Sequence, residues 1–212
     1  MKMSFVLIGV LGLTLAASAS PAGAATIIDE WTTAKADAAP ELKPATIDPK
    51  TTALLVMDLV KGSCNAERRP RCVASIPTIE KFLNEARAKG VTIIHTVAGS
   101  GGVADILPPV APKEGETVLT GTVANKFIRT DLQKILKDKG ITTVIPVGTA
   151  AQGAVLFTGS EAAFLQFKVV VPVDGASSES LFGEQAVAWL FARAPGVSNQ
   201  TTLTRFDMMK FQ

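Results

Sequence analysis

Four short stretches of the chain are apolar for most of their length instead of at every second position. They are Thr51–Val60 (TTALLVMDLV), Val91–Val97 (VTIIHTV), Ile141–Gly148 (ITTVIPVG) and Lys168–Gly175 (KVVVPVDG). A strand with one face in water alternates apolar and polar residues, whereas a strand covered on both faces has no need to. These runs therefore predict buried strands. The segments between them have helical spacing. In Ile76–Gly90, the residues Ile76, Ile79, Phe82, Leu83 and Ala86 fall on one stripe and Gly90 closes the helix. Arg129–Gly140, Gly153–Phe167 and Ser177–Gly196 read as three more helices, and Val197–Met209 as a segment ending in a short strand. Strand–helix alternation predicts an α/β fold of three layers (α/β/α), Rossmann-type, with a parallel sheet of about five or six strands. Ligands of such sheets bind at the carboxyl ends of the strands. Those ends carry Asp58, His95 or Thr96, Gly148 to Gln152, and Asp174. The Gly/Pro-rich stretch Ala98–Gly121 reads as a loop long enough to be functional.

The remaining chain bounds the biology. Residues 1–24 have a Lys at position 2, an apolar run from Phe5 to Ala17 and a closing Ala-Gly-Ala. That is the pattern of a cleaved signal peptide and implies a periplasmic or secreted product, with a retained anchor as the alternative. The apolar run is short for a bilayer, and no second run of spanning length follows, so no stable membrane insertion is expected after cleavage. Residues 25–50 are rich in Ala, Pro and Thr and read as an extended arm, with Trp31 as its anchor. Residues 51–212 then form one domain. A formal charge of +2 and the absence of any Lys/Arg run argue against a nucleic-acid partner. Cys64 and Cys72 are the only cysteines and share one polar loop, GSCNAERRPRC. In an oxidising compartment they read as a structural disulfide. Metal binding is the rival reading, but this loop supplies too few ligands and the only histidine, His95, is remote in sequence. No metal and no cofactor are expected.

Taken in order, TALLVMDLV, EARAKGVTIIHT, DILPPVAPKEGETVLTG, KFIRTDLQKILKDKGITTVIPVGTAAQGAV and KVVVPVDG make the chain resemble the isochorismatase-like hydrolases, a superfamily that includes the nicotinamidases. The resemblance covers about Thr51 to Gly175. It implies a small-molecule substrate, a homo-oligomer and a site built from an Asp after the first strand, a Lys before an F-x-x-T-x-L element and a Cys opening a later helix. Carried over, the Asp is Asp58, and Phe127, Thr130 and Leu132 belong to the F-x-x-T-x-L element. The usual Lys position falls on Gly121, while Lys126 stands directly before Phe127. The Cys position falls on Ala154.

Alanine cannot form the thioester that the amidases of this superfamily need. The true isochorismatases resemble this chain in having a small residue there, and they hydrolyse a vinyl ether by protonation followed by attack of water. Asp58 and Lys126 are accordingly the candidate catalytic residues, with Asp58 as the acid if burial raises its pKa. Gln152, Gly153, Ala154 and Phe127 are the candidate substrate-binding residues, the amides of Gly153 and Ala154 facing an anion or oxyanion at a helix start. Ser63 lies close after Asp58 but has no obvious partner base. A binding protein that kept the pocket and lost turnover is the alternative reading.

Overall fold

The structure is a computed structural model that describes residues 25–33 and 35–212, so the leader expected over residues 1–24 lies outside it. Residues 27–33 form a run of turns in which Asp29 accepts hydrogen bonds from the backbone and hydroxyl of Thr26, and Trp31 is exposed. The unit from Ala38 to Gln212 carries the fold.

Its elements in chain order are β1 (Ala45–Ile47), β2 (Thr52–Met57), α1 (Pro70–Ala88), β3 (Thr92–Ala98), β4 (Thr117–Thr122), α2 (Leu132–Asp138) and β5 (Thr143–Thr149). There follow α3 (Leu156–Phe164), β6 (Lys168–Pro172), β7 (Ala176–Ser177), α4 (Leu181–Arg193), β8 (Thr201–Thr204) and β9 (Met209–Phe211). The main sheet runs β4-β3-β2-β5-β6-β8, with β7 added at the end of β5, and every pairing in it is parallel. Seven strands thus stand where five or six were expected, because β7 is only two residues long.

Both sheet faces are covered, as the unbroken apolar runs require. On β2, Leu54 and Val56 pack with Ile76, Ile79, Phe82 and Leu83 of α1. Ala53, Leu55 and Met57 pack on the other side with Leu132 and Leu136 of α2, Ala162 and Ala163 of α3, and Val187 and Phe191 of α4. β1 pairs with β9 in a separate two-stranded ladder, so the arm expected over residues 25–50 is a strand at its end, with Ala45 and Ile47 buried.

Two expectations need correction. The loop read over Ala98–Gly121 contains β4, an edge strand whose sequence TVLTGT is half polar and leaves no continuous apolar signal. The first helix begins at Pro70, not at Ile76. Proline suits the first turn of a helix, where its missing N–H would have no partner in any case.

The chain starts at β2 in the middle of the sheet, builds outward through β3 and β4, then returns to place β5 on the other side of β2. The connections leaving β2 and β5 therefore run in opposite directions across the sheet, and the crevice at such a switch point is where these sheets bind ligands. Gly148 makes the close approach there possible. Its φ is +128°, and a Cβ at this position would lie 2.0 Å from the carbonyl oxygen of Met57. Gly148→Ala is expected to lose roughly 4 kcal/mol or more of stability, or to prevent folding. Gly153→Ala, where a Cβ meets only the Ala150 side chain at 3.9 Å, is expected to change stability by less than about 1 kcal/mol in the same urea titration.

Candidate active site

β2 ends at Met57, which pairs with Gly148 of β5, and the chain turns at once through Asp58. Asp58 has φ of 55°, a left-handed conformation that Asp tolerates better than most side chains. Its backbone is held from two sides: its N–H donates to the Thr96 carbonyl at 3.0 Å, and the Ser63 hydroxyl donates to its carbonyl. Asp58 is 7% exposed. Thr96 Oγ1 donates to Oδ1 at 2.9 Å and Lys126 Nζ donates to Oδ2 at 2.6 Å.

Lys126 is fully buried. It lies in the segment between β4 and α2, and its ammonium also donates to Thr122 Oγ1 at 2.9 Å. The Thr122 hydroxyl donates onward to the Val97 carbonyl at 3.2 Å. The Lys126 backbone N–H donates to Thr158 Oγ1 at 3.1 Å, and Thr130 caps the Lys126 carbonyl. Thr158 is one helical turn after Ala154, so α3 holds the lysine backbone as well as the Ala154 turn. The ammonium expected from a shifted backbone position thus reaches the carboxylate, while Gly121 at the usual position is exposed.

Burial governs the electrostatics of this pair. Desolvation raises the Asp58 carboxyl above the ordinary aspartate range, against the opposing pull of Lys126, Thr96 and the Ala98 amide. Desolvation lowers the Lys126 ammonium, against the opposing pull of Asp58. Each shift favours the neutral form, which is what removal from water does to any ionised group. The two groups touch, so they titrate together as one pair.

The other sequence candidates are placed as follows. Ala154 is buried in a π-helical turn, Ala151–Val155, directly after a cis Thr149–Ala150 peptide bond. The Gly153 N–H donates to the Ala150 carbonyl at 2.9 Å, so this amide is used inside the turn. Gln152 is exposed, and the half-buried Phe127 ring packs beside Phe167, 6.4 Å between centroids. Asp174 accepts from the Phe206 N–H at 3.1 Å and so ties down the C-terminal segment. Cys64 and Cys72 are bonded to each other.

His95 points to the α1 face of the sheet, since it shares the strand parity of Ile93 and Val97, while Thr96 takes the opposite parity. Its Nε2 lies 2.9 Å from Glu116, which also receives two hydrogen bonds from Arg87. Burial would raise Glu116, but Arg87, the Lys113 amide and His95 together hold it down at about 2. This cluster braces α1 against β3 and β4. Thr122, Thr158 and Glu116 carried no sequence signal, because an isolated threonine or glutamate becomes informative only once its neighbours are known.

A buried carboxylate–ammonium pair at the carboxyl end of a central parallel strand is what this α/β fold presents at its switch point. Residues 52–202 match the isochorismatase domain, and the chain belongs to that family. The secreted isochorismatase effector Isc1 of Verticillium dahliae is 28% identical over 154 residues, 68% of this chain and 81% of that protein. N-carbamoylsarcosine amidase of an Arthrobacter species is 28% identical over 46% of this chain and 47% of its own length. An isochorismatase of Pseudomonas putida superimposes with a TM-score of 0.67 at 19% identity, covering 80% of this chain and 94% of the other.

Removing one partner of a buried ion pair leaves the other charge uncompensated, at a cost of about 3–5 kcal/mol. Lys126→Met is expected to lose stability on that scale in urea denaturation. Adding Asp58→Asn to it should recover most of the loss, since the stranded charge is then gone.

Proposed function

We propose that this chain is a secreted hydrolase of small organic substrates in which Asp58 moves the protons and water is the only nucleophile. The observation that carries this is the buried Asp58–Lys126 pair on the same sheet edge as a helix-opening position, 154, that holds alanine. A vinyl ether fits these groups. Protonated Asp58 delivers its proton to the terminal vinyl carbon, and an oxocarbenium ion forms. Water adds to the cation, and the Asp58 carboxylate accepts the proton that the water gives up. The resulting hemiketal breaks into a carbonyl compound and an alcohol, so one water is consumed and the enzyme is restored. Lys126 stabilises the carboxylate in the interval when it is charged, and the Ala154 amide attracts a negative group of the substrate.

The raised Asp58 titration supports the acid role, because a proton must be present on the carboxyl at the working pH. Secretion is supported by the secreted effector among the relatives and by the Cys64–Cys72 bridge, which suits an oxidising compartment.

The test is a panel of vinyl ethers, amides and imides offered to the purified protein and to Asp58→Asn. Vinyl ethers alone should turn over, and Asp58→Asn should slow them by about 100-fold or more. Because Asp58 acts in its protonated form, kcat/KM should fall as pH rises through its elevated pKa. Amide hydrolysis that survives Asp58→Asn would refute the mechanism. Thermal shifts by these ligands without any turnover would identify a binding protein instead.

A further inference from the structure

The loop between β2 and α1 contains the one sequence motif that the chemistry above does not use, GSCNAERRPRC. The structure joins that motif to the site. Ser63 donates its hydroxyl to the Asp58 carbonyl, and the next residue, Cys64, is bonded to Cys72 in the first turn of α1. Both cysteines are buried in the apolar layer under α1. Arg69, 8% exposed, donates Nη1 to the Ser63 carbonyl at 3.1 Å and Nη2 to Glu179 at 2.9 Å. Arg71 pairs with Glu184 of α4, and Glu184 also accepts from the Ser178 N–H at 3.0 Å. The loop is thus fixed at its base by the bridge and at its side by a buried guanidinium that reaches the segment before α4.

This arrangement bears on a specific weakness of the site. Asp58 is held in left-handed backbone geometry, which is unfavourable for a non-glycine residue and persists only where its surroundings impose it. Thr96 supplies one backbone restraint, from β3. Ser63 supplies the other, and a serine in a free loop would not stay in place to do so. We propose that Ser63 is a positioning residue for Asp58, and that the Cys64–Cys72 bridge and Arg69 serve the site by fixing Ser63 in place. The bridge then does more than stabilise the fold: opening it releases the restraint on the Asp58 backbone and lets water reach its carboxyl. This inference rests on the Asp58–Lys126 site described above, but its test needs no turnover.

The readout is the titration of the Asp58 carboxyl carbon by NMR in folded protein. Ser63→Ala, and separately Cys64→Ala with Cys72→Ala, should each move the Asp58 pKa toward the ordinary aspartate value by on the order of half a pH unit, as a loosened carboxyl regains water. Combining them should add little to either alone, since both remove the same restraint. Ser63→Thr, which keeps the hydroxyl, should behave as the parent protein. Arg71→Gln breaks the neighbouring partly exposed ion pair without touching Ser63 and should leave the titration unchanged. In the unmutated protein, a dithiol that donates two electrons and two protons to the bridge, itself closing to a disulfide, should reproduce the Ser63→Ala shift. An Asp58 titration that stays put in folded Ser63→Ala overturns the proposal. So does a shift in Arg71→Gln as large as that in Ser63→Ala, which would show general loosening. Should the chain prove to hydrolyse nothing, these outcomes stand unaltered.

Discussion

A carboxylate and an ammonium buried against each other at the tip of a central strand are the constraint around which this fold is arranged. Each ion alone would be costly to remove from water, and together they are tolerable only with close contact and further hydrogen bonds. The structure supplies both. Thr96 takes one Asp58 oxygen, Lys126 takes the other, and Thr122 takes a second proton of the ammonium. Those partners come from β3, from the segment after β4 and from β4 itself, and Thr158 of α3 holds the lysine backbone. The end of β2, β3, the stretch from β4 to Lys126, and α3 therefore converge on one pair. The parallel sheet order makes that convergence possible, because it places all of these strand ends on one edge.

The ammonium arrives from position 126, directly before Phe127, and the carboxylate receives it at 2.6 Å. The function of such a lysine depends on where its nitrogen ends, and a long flexible side chain can approach from a different backbone position. Ala154 has no such latitude. No thiolate can be supplied from elsewhere while Cys64 and Cys72 are bonded to each other, and the proposed chemistry needs none.

Much of this was legible in the sequence, and the reasons are physical. Continuous apolar runs revealed β2, β3, β5 and β6 because burial on both faces leaves no room for polar alternation. β4 escaped notice because an edge strand is half solvated, and β7 because two residues carry no period. Asp58 was visible as a lone carboxylate at the end of an apolar run, and Lys126 by its place beside Phe127. The threonines that satisfy them were not, since a buried threonine looks the same in sequence whether it packs, caps or positions. His95 against Thr96 is instructive. Strand parity alone sends one to each face of the sheet, and only Thr96 has the parity that meets the carboxylate.

The central claim is that proton transfer to carbon, followed by attack of water, replaces covalent catalysis at this site. Turnover of a vinyl ether in heavy water, followed by NMR of the freshly released carbonyl product, tests it most directly. One deuterium on the carbon that had been the terminal vinyl methylene is the predicted result. A product with no deuterium on that carbon would mean that the carbon–oxygen bond breaks by another route, and would contradict the account.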